Sequence, residues 1–226
     1  MTFEDHPRPP GVETLWCGNV AENAPEAALH TDRLDAEETR RLGAFTSGAD
    51  RDAYLVAHVR LRALLADRLA TTPERVELSR EPCAACGGPH GRPYVRGGGV
   101  HFSLSHTREF VVIALASQPV GVDVEAVPGE RAAAELAPRM HPREVAEIVR
   151  LAEGDRPSAV ARCWTRKEAL LKARGVGLNE DTAVSYVGAG PRPALLPEWI
   201  LADLPVPPGF AAAVAVGRKS AAGPGR

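Results

Sequence analysis

The stretch from residue 100 to 125, VHFSLSHTREFVVIALASQPVGVDVE, indicates the fold class of this chain. Residues 100–104 and 120–124 alternate apolar and polar side chains, and residues 110–116 between them form a continuous apolar run. Alternation with a period of two is typical of strands that bury one face. Short turns separate the three segments, so we predict an antiparallel meander rather than parallel crossovers.

Helical and further strand patterns lie on both sides of this stretch. Upstream, residues 12–20 are predicted to form an edge strand, residues 33–46 and 51–70 helices, and residues 80–99 a loop. Downstream, residues 130–151 and 157–174 are predicted helices, with Pro157 in the first turn of the second and Gly175 and Gly177 at its end. Short strands are predicted near 183–187, 195–201 and 210–216. This order predicts an α+β protein.

The chain of 226 residues is long enough for two lobes of about a hundred residues each. We predict a loose N-terminal tail over 1–11, an N-terminal lobe over 12–118, a C-terminal lobe over 119–216 and a disordered tail over 217–226. The formal net charge of −2 argues against a general nucleic-acid coat. No apolar run approaches the roughly 20 residues of a membrane-spanning helix, and no export signal precedes the four cysteines, so a cytoplasmic protein is expected.

Two carboxylates lie two residues apart, one within the strand predicted at 120–124 and one directly after it. Asp123 and Glu125 then point to one face of the strand, while Val122 and Val124 point into a core. Carboxylates on one face repel each other unless a cation lies between them, and Mg²⁺ prefers such oxygen ligands. The alternative is an exposed edge whose polar side happens to be acidic.

The predicted helix over 157–174 carries a second polar pattern. Trp164, Glu168 and Lys172 are four residues apart and share one stripe of the helix. Only three of the 27 basic residues are lysines, and two of them, Lys167 and Lys172, lie in this helix. A carboxylate followed one turn later by an ammonium suits a metal–pyrophosphate site. The alternative is an ordinary pair of oppositely charged side chains on a helix surface.

Ser105 and His106 lie where a strand is predicted to enter a turn, a place that often carries function. Both can contact phosphate. Direct activation of the serine by the histidine is disfavoured, because adjacent residues of a strand point to opposite faces. Ordinary turn chemistry is the alternative.

Cys83, Cys86 and His90 offer part of a zinc site, Cys-x₂-Cys-x₃-His. A structural site needs a fourth ligand, and no second pair of cysteines follows at a suitable spacing. A reduced, glycine-rich loop is the alternative.

The combination and order of these motifs resemble the two-lobed 4′-phosphopantetheinyl transferases that activate nonribosomal peptide and polyketide synthases. Three blocks carry the resemblance: Gly-Arg-Pro at 91–93 leading to Phe-Ser-Leu-Ser-His-Thr at 102–107; Gly-Val-Asp-Val-Glu at 121–125; and Trp-Thr-Arg-Lys-Glu-Ala-Leu-Leu-Lys at 164–172 with Gly-Val-Gly-Leu at 175–178. The last two blocks are the specific ones. The resemblance implies two similar α+β lobes related by a pseudo-twofold axis, each with a small antiparallel sheet against a long helix, and coenzyme A in the cleft between them.

The resemblance also implies roles for individual residues. Asp123, Glu125 and Glu168 match the acidic residues that hold Mg²⁺, or Mn²⁺, on the pyrophosphate of coenzyme A. Lys172 matches the lysine on that pyrophosphate. The expected nucleotide contacts are His106 at the 3′-phosphate, Ser105 beside the nucleotide, Arg92 close to the adenine, and Lys167, the motif's other lysine. Arg51 and Arg62 are candidates for further contacts to the 3′-phosphate.

The implied activity is Mg²⁺-dependent transfer of the phosphopantetheine arm of coenzyme A to a serine of an apo carrier protein. Peptidyl, acyl and aryl carriers of nonribosomal peptide, polyketide or fatty-acid synthases are the implied partners, and a monomer is expected. Asp123, Glu168 and Lys172 are the expected catalytic residues, with Glu168 as base. Two alternatives stay open: a non-catalytic module that binds coenzyme A or a carrier protein, and an unrelated Mg²⁺-dependent phosphohydrolase.

Overall fold

The computed structural model describes residues 8–82, 87–88, 91–176 and 180–219. The strands are β1 (Val12–Asn19), β2 (Leu78–Arg80), β3 (Pro93–Val95), β4 (His101–His106), β5 (Phe110–Ala116), β6 (Val120–Ala126), β7 (Trp199–Asp203) and β8 (Phe210–Gly217). The α-helices are α1 (Val20–Ala28), α2 (Ala36–Gly43), α3 (Gly48–Leu69), α4 (Glu130–Leu136), α5 (Pro142–Val149) and α6 (Arg156–Arg174). The predicted α+β class is confirmed.

Two three-stranded antiparallel sheets form the middle of the molecule. Their strand orders are β1-β5-β4 and β6-β8-β7, so in each sheet the last strand in sequence lies between the other two. In each, a long helix, α3 or α6, lies between the first and second of these strands in the chain. The two halves thus repeat one topology, although the lobe boundaries at 118 and 119 stay a prediction.

Alternation along the strands sorts the side chains into three cores. Val111, Ile113 and Leu115 of β5 pack on α3, whereas Val112 and Ala114 point to the opposite face. That second face meets one face of the other sheet, to which β6 and β8 contribute Val120, Val122, Val124, Ala212, Val214 and Val216. The remaining face of that sheet packs on α6. The order of layers is therefore α3, first sheet, second sheet, α6.

Local chemistry accounts for where the main helices begin and end. Ser47 accepts a hydrogen bond from the Asp50 N–H at the start of α3, and Asp35 and Glu38 form a reciprocal capping box on α2. As predicted, Pro157 lies in the first turn of α6. Gly175 ends the helix with φ of 74°, a left-handed conformation that glycine adopts without strain.

The structure corrects the predicted meander. β4 and β5 pair as expected, but β6 does not continue their sheet; it pairs with β8, and β1 takes the other edge of β5. Alternation identified the strands but not their partners, because β5 begins 91 residues after the end of β1, and β8 begins 84 residues after the end of β6.

Three other predictions of secondary structure need correction, and one helix was missed. The helix predicted over 130–151 is broken at 137–141, next to Pro138 and Pro142, because proline removes the N–H that an interior turn needs. Residues 183–187 are not a strand. Part of the loop predicted over 80–99 is the β2–β3 hairpin, and α1 was not predicted. Within the described ranges, no helix is both long and apolar enough to cross a membrane.

Candidate functional site

β6 presents its acidic side chains to α6. Val122 and Val124 enter the core between the sheets, so Asp123 and Glu125 point to the opposite face, on which α6 packs. Gly121 lies on that same face and allows a close approach. A Cβ at Gly121 would lie 2.0 Å from the carbonyl oxygen of Ala169 and 2.5 Å from the amide nitrogen of Ala173. The missing side chain therefore lets α6 bring its own polar groups beside β6.

Lys172 of α6 joins the two sheets at this point. Its Nζ donates to Oδ1 of Asp123 at 2.6 Å, to the carbonyl oxygen of Val122 at 3.1 Å and to Oγ of Ser105 at 3.2 Å. The Ser105 hydroxyl in turn donates to Oδ1 of Asp123 at 2.9 Å. The aspartate is only 2% exposed, so the adjacent ammonium compensates for a carboxylate that water does not reach.

Two further carboxyl groups lie within electrostatic reach of Asp123. Burial and the negative charge of Asp123 raise the pKa of Glu125 to about 7. The same two causes raise the pKa of Glu168, while Lys172 opposes the shift. The three acids predicted for the metal–pyrophosphate site therefore interact electrostatically. Lys172, the fourth predicted residue, offsets part of the repulsion between them.

The donor set fits a hard cation. Oδ2 of Asp123 and Oε1 of Glu168 are buried, and neither has a hydrogen-bond partner among the described residues. Buried carboxylate oxygens without a donor are costly unless a cation completes their shell. As they stand, however, no three carboxylate, histidine or cysteine side chains of the described part of the chain lie in an arrangement that holds a metal. The metal role of Asp123, Glu125 and Glu168 stays a prediction.

Ser105 and His106 point to opposite faces of β4, as the strand geometry predicts. Ser105 faces Asp123, whereas His106 lies on the face of Phe102 and Leu104, which pack in the core with α3. The pKa of His106 is lowered by burial and by the nearby His58, with smaller contributions from Lys172 and Arg41. His58 of α3 and Arg41 of α2 thus lie within electrostatic reach of His106, and Nδ1 of His58 is itself 2.7 Å from Oε1 of Glu38.

The predicted arginines lie in three different settings. Arg92, just before β3, donates to the carbonyl oxygen of Ala173 in the last turn of α6 and to Glu81. Arg51 is exposed in the first turn of α3. Arg62 is 1% exposed and bonds to Asp35, Glu38 and two backbone carbonyl oxygens, so its guanidinium is occupied inside the N-terminal half.

Lys167 lies away from the acidic cluster. Its Nζ is 2.6 Å from Oε2 of Glu144 and donates to the carbonyl oxygen of Ser185 at 2.7 Å. Both Lys167 and Glu144 are at least 98% buried, and Oε1 of Glu144 accepts the N–H groups of Val187 and Gly188. The structure does not bring Lys167 together with the other predicted coenzyme A contacts.

The cysteines contribute no reactive group to the described site. Cys83, Cys86 and His90, the predicted partial zinc site, lie outside the described residues. Cys17 and Cys163 are buried free thiols. Burial raises the pKa of Cys17 to about 12, and the pKa of Cys163 is raised for the same reason, so both thiols are held in the protonated form.

Sequence reasoning missed four residues that shape the site: Ser103, Gly121, His58 and Arg41. Ser103 and Gly121 had a local signal, because each is two residues from a predicted site residue on the same strand face, Ser105 and Asp123 respectively. His58 and Arg41 had none, since only the packing of α2 on α3 and of α3 on β4 brings them to His106.

Fold and site together define an α+β protein with a carboxylate and ammonium cluster where two sheets and a long helix meet. The sequence model of the 4′-phosphopantetheinyl transferase superfamily matches residues 119–192, which contain this cluster. The chain is 32% identical over 191 residues to a phosphopantetheinyl transferase of Thraustochytrium sp., covering 76% of this chain and 64% of that one. It is 27% identical to the 4′-phosphopantetheinyl transferase HetI of Nostoc sp., covering 93% and 92%.

A third relative is the 4′-phosphopantetheinyl transferase Sfp of Bacillus subtilis, which is 25% identical over 67% of this chain and 70% of its own length. The chain is similar to the 4′-phosphopantetheinyl transferase superfamily over residues 119–192 and to these three transferases over 67–93% of its length.

Proposed function

We propose that this protein transfers the 4′-phosphopantetheine arm of coenzyme A to a serine hydroxyl of an apo carrier protein, with Mg²⁺ as the metal. Three relatives bear the name phosphopantetheinyl transferase. The observation that carries the proposal is the cluster of Asp123, Glu168 and Lys172, in which two buried carboxylate oxygens have no described partner.

Asp123, Glu125 and Glu168 are the residues proposed to hold the metal. Bound there, Mg²⁺ or Mn²⁺ supplies positive charge that neutralises pyrophosphate oxygens and stabilises the leaving group. Lys172 lies beside these acids, and its ammonium is proposed to neutralise negative charge on the phosphate oxygens. In the free protein Lys172 contacts Asp123 and Ser105, and with substrate bound it would contact the phosphate oxygens as well.

The proposed reaction is a displacement at phosphorus. The serine oxygen of the carrier bonds to the β-phosphorus of coenzyme A, the bond from that phosphorus to the bridging oxygen breaks, and 3′,5′-adenosine bisphosphate leaves. Glu168 is proposed to accept the serine proton. Its raised pKa supports this role, because a carboxylate of higher pKa is a stronger base.

The nucleotide end is proposed to lie along β4 and the β2–β3 hairpin. His106, with His58 and Arg41 near it, is proposed to contact the 3′-phosphate, and Ser105 and Arg92 to flank the nucleotide. Arg51 is a further proposed contact. The proposed partners are carrier domains of nonribosomal peptide, polyketide or fatty-acid synthases, served by a monomer in the cytoplasm.

Intact-protein mass spectrometry tests the proposal. The chain is mixed with coenzyme A, Mg²⁺ and apo peptidyl, acyl or aryl carriers, and the carrier mass is followed. Asp123→Asn and Glu168→Gln are the test variants, and Asp67→Ala, an exposed acid of α3, is the matched control. A parallel reaction contains EDTA.

We expect a mass gain of one phosphopantetheine with the wild type and Asp67→Ala, and none with Asp123→Asn, Glu168→Gln or EDTA. Glu168→Gln should still bind coenzyme A. No gain with any carrier, together with coenzyme A binding by the wild type, would favour the non-catalytic module. Normal turnover by Glu168→Gln would refute both roles assigned to that residue.

A further inference from the structure

β4 and β6 are edge strands of different sheets, and they lie beside each other. β4 is the last strand of the order β1-β5-β4, and β6 is the first of the order β6-β8-β7. An edge strand has backbone N–H and C=O groups that its own sheet leaves unpaired. Where two such edges meet in the interior, side chains must satisfy these groups.

Val122 is the residue of β6 at which this happens. Its N–H donates to Oγ of Ser103 at 3.0 Å, and its carbonyl oxygen accepts from Nζ of Lys172 at 3.1 Å. In an antiparallel strand the N–H and C=O of one residue point to the same side, so both groups of Val122 point to the open edge. One serine hydroxyl and one ammonium therefore close the edge next to Asp123.

The two serines of β4 act on consecutive residues of β6. Ser103 holds the backbone of Val122, and Ser105 holds the carboxylate of Asp123 at 2.9 Å. Ser103 is only 7% exposed, and its contact to Val122 is buried. Without the hydroxyl, the Val122 N–H would lie in a protein interior without its acceptor, and the strand would shift to find another.

We infer that Ser103 is a positioning residue of the site. Through its hydrogen bond with the Val122 N–H it fixes the position of β6 relative to β4. It thereby holds Asp123 in the place where Lys172 and the proposed metal contact it. This inference rests on the proposed function, because a displacement of β6 is detected through the affinity of the proposed metal site. Ser103 touches neither reacting atoms nor metal-binding oxygens in this arrangement; it acts through the backbone of β6.

The test measures Mn²⁺ affinity in the presence of saturating coenzyme A, by electron paramagnetic resonance of the free ion. Amide exchange at Val122 is followed by NMR in the same variants. Ser103→Ala removes the acceptor, Ser103→Cys replaces it with a weak one of similar size, and Ser103→Thr keeps it. Asn19→Ala is the matched control, because it removes a hydrogen bond to the Glu22 N–H at the start of α1.

We expect Ser103→Ala to raise the dissociation constant for Mn²⁺ about tenfold, in the range typical of groups that support metal ligands. Ser103→Cys should act in the same direction. Exchange at the Val122 amide should accelerate in both, and Ser103→Thr should restore both quantities. Asn19→Ala should lower the thermal midpoint without changing either one.

Two results would overturn the inference: unchanged Mn²⁺ affinity in Ser103→Ala and Ser103→Cys, or an unchanged Val122 exchange rate in both. Failure of the proposed function has a different signature. If Asp123→Asn binds Mn²⁺ as the wild type does, or if the wild type binds none, the assigned metal site is wrong whatever the Ser103 variants show.

Discussion

Nζ of Lys172 lies 2.6 Å from Oδ1 of Asp123, and this contact joins the middle of β6 to the last turns of α6. The aspartate side chain is 4% exposed and the lysine side chain 32% exposed, so the pair is half inside the protein. A buried charge that loses its partner costs more than the pair contributed when intact.

Lys172→Met should therefore destabilise the fold. After allowance for the partial exposure of the lysine, we expect a loss of about 1–3 kcal/mol in the free energy of unfolding. Urea denaturation at pH 7 measures it. The double variant Asp123→Asn/Lys172→Met should recover part of the loss, because no uncompensated charge is left in the interior. Equal stability of Lys172→Met and the wild type would contradict the proposed pairing.

Gly121→Ala should damage both stability and activity. The added Cβ would meet the backbone of Ala169 at 2.0 Å, so α6 must move away from β6 and take Glu168 and Lys172 with it. We expect a loss of about 3 kcal/mol or more, since backbone cannot give way as a flexible side chain can. Circular dichroism melting and the transfer assay measure the two effects.

Gly43→Ala is the control for that change. Gly43 ends α2, and a Cβ there would have no atom within 4 Å. The alanine should be neutral or slightly stabilising, because it restricts the unfolded chain. If both alanines had the same effect, the close approach of α6 to Gly121 would not be what matters.

The contribution of Glu125 to the unfolding free energy of the metal-free protein should fall as pH rises from about 4.5 to 7. The folded protein holds a proton on Glu125 up to pH about 7, whereas the unfolded chain releases it near 4.5. The folded state therefore binds more protons in this window, and raising the pH disfavours it. With its partial exposure allowed for, the effect is on the order of 2 kcal/mol.

Urea denaturation in EDTA between pH 4.5 and 8 measures this dependence. Glu125→Gln carries no proton to release at this position, so the stability of the wild type should fall relative to that of the variant over the same window. Glu168 contributes with the same sign, and the lowered pKa values of His101 and His106 contribute with the opposite sign, but these contributions are common to both proteins. If the wild-type and Glu125→Gln curves run parallel across this window, Glu125 is not held as described.

His106→Ala should distinguish coenzyme A from dephospho-coenzyme A, which lacks the 3′-phosphate. If His106 contacts that phosphate, the variant loses about tenfold in affinity for coenzyme A, the loss expected for one hydrogen bond to a charged group. Affinity for dephospho-coenzyme A should stay the same. Isothermal titration calorimetry gives both values. Equal losses for the two ligands would place His106 elsewhere on the nucleotide or show a general disruption of β4.

Local patterns were sufficient for the parts of the site that lie on one element. The two-residue spacing of Asp123 and Glu125 and the four-residue spacing of Glu168 and Lys172 each predicted a shared face, and in each case the structure has it. What joins the two elements is Gly121, and its role depends on the distance to a helix about fifty residues later in the chain. No periodicity encodes such a contact.

The two largest differences from the predicted fold, the broken helix and the pairing of β6, have different causes. The break in the helix predicted over 130–151 was readable from Pro138 and Pro142, because proline disrupts a helix interior. The departure of β6 from the sheet of β4 and β5 was not readable, since its partner β8 begins at residue 210. Strand pairing over such separations is decided by which apolar faces meet, and that is a property of the whole fold.

Lys167 and Lys172 belong to the same motif but have different partners in the structure. Five residues on an α-helix place them about 140° apart, so the two ammonium groups cannot serve one small ligand from the same face. Lys172 meets Asp123, whereas Lys167 is buried against Glu144 and the carbonyl oxygen of Ser185. The resemblance alone placed both with coenzyme A.

Lys167→Met should therefore lower stability strongly and leave coenzyme A affinity unchanged. Glu144 is 0% exposed and would lose its cationic partner in the protein interior, which costs about 3–5 kcal/mol. Glu144→Gln/Lys167→Met should recover part of this loss and stay folded for titration calorimetry. Its dissociation constant for coenzyme A should match that of the wild type, whereas that of Lys172→Met should be raised. If instead the double variant lost coenzyme A affinity as Lys172→Met does, while the fold stayed intact, Lys167 would be a ligand-binding residue after all.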